Sequence, residues 1–309
     1  VKKPELVVSC GSIADVKRLI EAGADAVIVG EERYAMRLPG NMKPEEIAEA
    51  VAWAHEKQAK VYVSVNKIFD NASLEGLDEY LSRLQAFGAD GVIFGDPAVL
   101  MAARTLPQGF ALHWNAEMTS TNYATANYWG RQGASRVVLA RELNMDQVLA
   151  FKANTELSVE VQVHGITNIY HSKRELVKNY IEHQGHDAAA EDRSIGRGLF
   201  LIEHERRDQR YPVYEDSNGT HIMSSEDICM LENLPELMDG NIDSLKIEGL
   251  LKSAVYNETV VRSYRAAIDA YAADPAGYTF KQEWLDAIAE LQDPERELSY
   301  GFFYKEQVY

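Results

Sequence analysis

The sequence predicts a (β/α)8 barrel carrying a long insertion after its seventh strand. Three observations predict it. Eight short apolar or alternating segments are separated by capped amphipathic stretches with short links. The C-terminal ends of those eight segments collect polar and charged residues. The regular beat breaks once, between His164 and Ser244.

The elements follow in order. Leu6–Ser9 is a short apolar strand, and Ser12 caps a helix to Ala22 with Asp15 at the capping-box position. Gly23 ends that helix. Ala26–Val29 is the second strand, followed by a helix over Pro44–Gln58 with proline in its first turn. Val61–Asn66 is the third, with a helix over Leu74–Phe87 closed by Gly88. Gly91–Phe94 is the fourth, with a helix over Pro97–Thr105. Phe110–Asn115 is the fifth, with a helix over Ser120–Gln132 closed by Gly133. Arg136–Leu139 is the sixth, with a helix over Met145–Ala153. The seventh, Val159–His164, alternates: Val159, Val161 and Val163 fall on one face, and Glu160, Gln162 and His164 on the other. Ser244–Ile247 is the eighth, with a helix from Ser253 to about Ala272. The phrases beginning at Ala22, Phe87 and Gln132 repeat one helix-to-strand turn and carry no function. An open doubly wound sheet is the runner-up, but Cys10-Gly11-Ser12 is too sparse for its phosphate loop. The whole chain, 1–309, reads as one barrel domain with the insertion at about 166–242, a length typical of lids and binding elements.

Composition bounds the function. The chain is 46% hydrophobic and 26% charged, as a soluble globular protein is, with no apolar run near membrane-spanning length and no signal-peptide core. Two unpaired cysteines, Cys10 and Cys229, fit a reduced, cytoplasmic protein. A net charge of −17 argues against autonomous, non-specific nucleic-acid binding, though not against a local basic patch.

In a barrel the strand ends converge on one mouth. Here they supply Ser9, Cys10, Glu31, Asn66, Asp96, Asn115, Glu117, Arg141, His164, Lys246 and Glu248. Strand parity turns Tyr62, Ser64 and Asn66 inward, and likewise Ser244, Lys246 and Glu248. A polar interior is costly unless hydrogen-bonded and so marks a ligand site. Glu160, His164, Lys246 and Glu248 are the candidate catalytic groups. Asn66, Asn115, Arg141 and Gly165 are the candidate substrate contacts. The bland reading of Glu160 is a buried salt-bridged layer with Gln162 and Lys246. A zinc site of His113, His164 and Glu160 is set aside because His113 is counted out of phase with Asn115, so no metal is expected. No Gly-x-Ser-x-Gly elbow, His-Glu-x-x-His or P-loop occurs.

Several segments together resemble peptidase family U32, the collagenase-like peptidases. They are Glu21–Gly30, Arg136–Glu142, Glu160–Gly165, Ser225–Cys229 and Ser244–Gly249, then Lys252-Ser253, Tyr256 and Tyr264-Arg265. The resemblance covers nearly the whole chain and implies a barrel. It implies one of several roles: prephenate-dependent 5-hydroxylation of the tRNA wobble uridine, action on ribosomal RNA, or oxygen-independent ubiquinone hydroxylation. Such members hold an iron–sulfur cluster on four cysteines. Here Asn168 and Glu175 stand at two of those positions, Arg193–Arg207 offers none, and only Cys229 matches. Leu250 also replaces an arginine of the family motif. The resemblance therefore implies a cluster-less member that binds no cofactor directly. It would work beside a cluster-bearing paralogue and meet tRNA through that complex, with prephenate as a possible substrate. Lys173, Arg174, Lys178, Arg193, Arg197, Arg206, Arg207 and Arg210 of the insertion are the candidate RNA or partner contacts, although acids interleave them. The competing readings are a metal-assisted peptidase centred on Glu160 and His164, and a scaffold with a vestigial mouth.

Overall fold

The computed structural model describes residues 2–107, 109–115 and 121–306. The chain alternates β1 (Glu5–Ser9), α1 (Ile13–Glu21), β2 (Ala26–Gly30), α2 (Pro44–Glu56), β3 (Lys60–Val65), α3 (Leu77–Phe87), β4 (Gly91–Phe94) and α4 (Pro97–Ala103). It continues through β5 (Ala111–Asn115), α5 (Tyr123–Gln132), β6 (Arg136–Val138), α6 (Met145–Ala153) and β7 (Ser158–Gly165). Residues Glu117 and Ser120, counted at the mouth and at the start of the fifth helix, lie outside the described residues. Local chemistry sets these boundaries. The Ser12 hydroxyl accepts the Asp15 amide at the start of α1, and Asn144 and Gln147 form a reciprocal capping box at α6.

The segment after β7 is not an irregular loop. It folds into β8 (Asn168–Ser172), α7 (Leu176–His183), two single 3-10 turns, β9 (Phe200–Ile202), β10 (Arg210–Asp216), β11 (Gly219–Met223), β12 (Asp227–Cys229) and α8 (Leu234–Asp239). Strands β8, β11, β10 and β9 make a separate antiparallel sheet in that order. Its tight hairpin turns on Asp216–Gly219, where the Asp216 carboxylate accepts the Asn218 amide at 2.7 Å. The chain then returns through β13 (Ser244–Ile247), the long α9 (Ala254–Ala273), α10 (Gln282–Ala289) and the two-residue β14 (Leu298–Ser299).

Eight parallel strands among the described residues close the barrel. Each of β1 to β6 pairs with the next, and β13 pairs with both β7 and β1. Outward apolar residues of the strands pack on the helices in one continuous core that holds Val8, Val29, Val63, Val137, Val261 and Tyr264, all essentially inaccessible. A smaller interior cluster of Val7, Ala26, Ile28, Tyr62 and Ile93 plugs the barrel, which is therefore a filled core and not a pore. The antiparallel sheet seats on the barrel's C-terminal end through Ile166, Tyr214, Met223 and Leu250. No described helix is long and apolar enough to cross a membrane.

Beyond the closed ring, β12 pairs antiparallel with the end of β7, matching Cys229 to His164, and β14 pairs parallel with β12. Gly165 sits at this junction with a φ of 97°. A side chain there would sit inside contact distance of the Glu248 carbonyl oxygen, so the close approach of β7 to the end of β13 requires glycine. Gly165→Ala is expected to lose at least about 2 kcal/mol of stability, from the left-handed backbone and the overpacked contact. A urea midpoint indistinguishable from the parent's would contradict this.

Candidate functional site

The barrel interior is layered. At its base Arg136 donates to Glu160 (3.0 Å) and pairs with Glu5 (2.6 Å), while Ser244 donates to Glu160 Oε2 at 3.2 Å. Tyr62 donates to Glu5 at 2.7 Å, and the Arg136 guanidinium lies 5.1 Å from the Tyr62 ring centroid. Burial would raise the Glu5 carboxyl, but Arg136, Tyr62 and Lys60 outweigh it and hold its pKa below the usual range. The salt-bridged layer anticipated for Glu160 thus exists, with Arg136, Ser244 and Glu5 as its members. Gln162 instead reaches the Ile166 carbonyl at 3.0 Å, and Lys246 pairs with Glu248. Glu160 Oε1 has no hydrogen-bond partner and lines the cavity above it.

That cavity, about 580 Å³ with its solvent-open rim included, is the mouth. Asn66, Asn115, Arg141, Lys246 and Glu248 line it, as strand parity requires, and so do Ser9 and Ser64. Lys246 Nζ lies 3.2 Å from Glu248 Oε2. Glu248 Oε1 accepts the Ser9 hydroxyl and, at 3.1 Å, the Leu250 amide, so its carboxylate is fixed from two sides. Asn66 accepts the Met36 amide at 2.9 Å and donates to the Met36 carbonyl at 3.3 Å. It thereby holds the loop from Glu31 to Lys43, whose Met36, Arg37, Leu38 and Pro39 form one wall of the mouth. The barrel-strand ends alone did not point to that wall. Arg141 donates to the Asn168 carbonyl at 3.1 Å and lies where the mouth meets a second cleft.

His164 departs from the expected arrangement. The β7–β13 register pairs Lys246 with Gln162 but Ile247 with His164, so β7 carries a bulge at Val163. One extra residue reverses the side-chain phase. His164 consequently leaves the row of Glu160 and Gln162 and packs outside the barrel against α9. Its Nε2 is 2.9 Å from the Tyr256 hydroxyl. Tyr256 gives its own proton to Gln292 Oε1 at 2.6 Å, so His164 Nε2 is the donor. Gln292 in turn donates to Asp227 Oδ2 at 2.8 Å. Complete burial lowers the His164 pKa from 6.5 to about 3, keeping the ring neutral. Because the folded pKa lies below the unfolded one, the unfolded chain takes up a proton first as acid is added. Stability is full above about pH 6.5 and is lost as the pH falls toward 3, by about 1.4 kcal/mol per unit. Replacing His164 with Asn is expected to flatten the stability profile over that window. An unchanged slope in urea titrations between pH 6 and 4 would refute the assignment.

His113 also needs correction. It lies two residues from Asn115, shares its phase, and faces inward, edge-on to Tyr62 with centroids 4.5 Å apart. Since His164 lies outside the barrel, the trio of His113, His164 and Glu160 does not come together. Among the described residues, no group of three or more His, Cys, Asp or Glu is placed to hold a metal ion.

The model of peptidase family U32 matches residues 11–308. The chain belongs to peptidase family U32. A U32 relative, tRNA hydroxylation protein P2 of Bacillus subtilis (strain 168), is 49% identical over 310 residues that span all of both chains. The tRNA hydroxylation protein P1 of the same organism is 31% identical over all of this chain and 74% of its own length. A solved U32 peptidase shares the fold with a TM-score of 0.52 at 16% identity, over 79% of this chain and 92% of that one.

Asn168 and Glu175, the residues expected in place of cysteines, have partners of their own. Asn168 is buried at the start of β8 and supplies the carbonyl that Arg141 grips. Glu175, exposed ahead of α7, faces Lys178 at 3.1 Å and Arg193 at 3.8 Å. Cys229 lies in β12 with its sulfur 4.0 Å from the Tyr264 hydroxyl, and burial pushes its thiol pKa up. Burial does the same to Cys10. Two inert thiols do not fit a four-iron cluster, which needs four ligands.

Proposed function

We propose that this chain takes part in hydroxylation of tRNA, forming 5-hydroxyuridine at the wobble position with prephenate as co-substrate. It does so as the cluster-less member of a pair, beside a longer U32 paralogue that carries the iron–sulfur cluster. The observation that carries this reading is the end-to-end 49% identity to a relative named tRNA hydroxylation protein P2. A longer P1 relative in the same organism supports the paired arrangement.

The mouth is suited to a small anionic partner. Arg141 and Lys246 are cations at its wall, Asn66 and Asn115 add amide groups, and Glu160 Oε1 is an unused acceptor at its base. The chain's own residues bind and orient there, with Glu248 fixing the Lys246 ammonium and Ser9 fixing Glu248. Redox chemistry belongs to the partner. A peptidase centred on Glu160 and His164 finds no support in this geometry, since the two side chains lie on opposite sides of the barrel wall.

Deleting the gene, alone and with its longer paralogue, and measuring wobble 5-hydroxyuridine by mass spectrometry tests the proposal. A marked loss in the double deletion, restored by supplying both genes, is the expected result. Unchanged hydroxyuridine in both strains would reject it.

A further inference from the structure

A second cleft opens beside the mouth and shares Arg141 and Asn168 with it. Its walls come from three places: the barrel end at Arg141, the insertion with Ile169 of β8 and Arg206 between β9 and β10, and the tail segment with Phe302 and Lys305. It encloses about 1030 Å³, open rim included, against about 580 Å³ for the mouth. Two apolar groups normally hidden in a core are exposed here, Ile169 at 54% and Phe302 at 45%. The Lys305 ammonium lies 5.0 Å from the Phe302 ring centroid, so an aromatic face and a positive charge are presented as one unit. Arg206 and Lys305 are mostly exposed, and their nearest carboxylates, Glu203 and Glu226, stand off at 3.7 Å each. Exposed pairs of that length are weak and yield readily to a better anion. The lining's acids, Glu142 and Glu226, are outnumbered by its three cations in a chain whose net charge is −17.

We infer that this cleft holds one unstacked nucleotide of an RNA strand, with its base on Phe302 and its phosphate between Arg206 and Lys305. This rests on the tRNA reading of the mouth and extends it. An aromatic platform beside exposed cations is the arrangement that grips single-stranded RNA without reading a helix. A base reacting inside a narrow mouth must leave its stack, and the cleft gives the flanking nucleotide somewhere to rest. Arg141, at the boundary, is the group that a strand passing from cleft to mouth would meet. Among the basic residues of the insertion, the cleft singles out Arg206. Arg193 is committed to Glu215 at 2.9 Å, and Arg210 to Glu295.

The test uses the full chain and a fluorescein-labelled anticodon stem-loop RNA, followed by anisotropy at low salt. Phe302→Ala is expected to weaken binding about tenfold or more. The pair Arg206→Glu with Lys305→Glu is expected to do the same and to lower the salt slope by about two. The charge pair alters only exposed contacts, the Lys305–Phe302 stack and the pairs with Glu203 and Glu226, and an unchanged melting temperature confirms its fold. No binding by the parent chain overturns the inference, as does parent-like binding by the folded charge variant. So does a variant that keeps its RNA affinity but no longer co-purifies with the paralogue, which would make the cleft a protein interface. These readings are independent of the deletion experiment. Unchanged hydroxyuridine in deleted strains rejects the tRNA role, and unchanged anisotropy in folded variants rejects the cleft.

Discussion

Asp227→Ala is expected to destabilise the protein by about 3–5 kcal/mol, a large share of a typical domain's total. Asp227 is fully buried in β12 and holds two buried cations at once. Arg296 donates to it at 2.7 and 3.1 Å, and Lys252 donates to its Oδ2. Removing the carboxylate leaves both largely buried cations without their main counter-charge. Burial would raise the Asp227 pKa, but Arg296 and Lys252 overcome it and hold the carboxyl far below the carboxylate range. The contribution is therefore complete above the unfolded value of about 3.9 and disappears as the pH drops below it. Equilibrium urea unfolding at neutral pH reads the effect. A midpoint within error of the parent's would mean that the cluster contributes nothing.

Lys246→Met is expected to leave the fold intact and to cut wobble 5-hydroxyuridine at least about tenfold in cells that also carry the paralogue. Lys246 lines the mouth, faces Glu248 at 3.2 Å, and is the cation best placed to meet an anionic ligand there. A hydrogen bond to a charged group contributes about 1.5–3 kcal/mol, which corresponds to about tenfold to a hundredfold in occupancy. The linear, apolar methionine preserves the volume of the lysine stem, so packing is not the variable. Mass spectrometry of tRNA from a complemented deletion strain gives the answer. Hydroxyuridine at the parent level in the folded variant would remove Lys246 from the site.

Most of the barrel and half of the mouth could be read from residue order. Val61–Asn66 announces its own parity, because Tyr62, Ser64 and Asn66 interleave with valines that only a helix layer would bury. Ser244, Lys246 and Glu248 do the same. His164 misled because period-two counting assumes an uninterrupted strand, and the bulge at Val163 is imposed by the partner strands. Arg136 stands in a recognised strand opposite Ser158, and its inward parity, shared with Glu160 on the next strand, is the signal for the charged base. The wall of Met36 to Pro39 belongs to a loop whose position depends on Asn66, and no local pattern records a contact over that separation. The insertion's antiparallel sheet escaped notice for a related reason. Its strands are three to seven residues long, Phe200–Ile202 does not alternate in exposure, and the pairing of β8 with β11 joins segments about fifty residues apart.

The closure of β1 by β13 sets a clock on biosynthesis. Glu5 pairs with Ser244, so β1 waits for a strand made 239 residues later. At about 5–20 residues per second that interval is roughly ten to fifty seconds. Throughout it, the free edge of Leu6, Val7 and Val8 is available to any strand that presents itself. Until β13 arrives, the nascent half-barrel keeps an open apolar edge, a hazard that the stability of the finished ring does nothing to reduce.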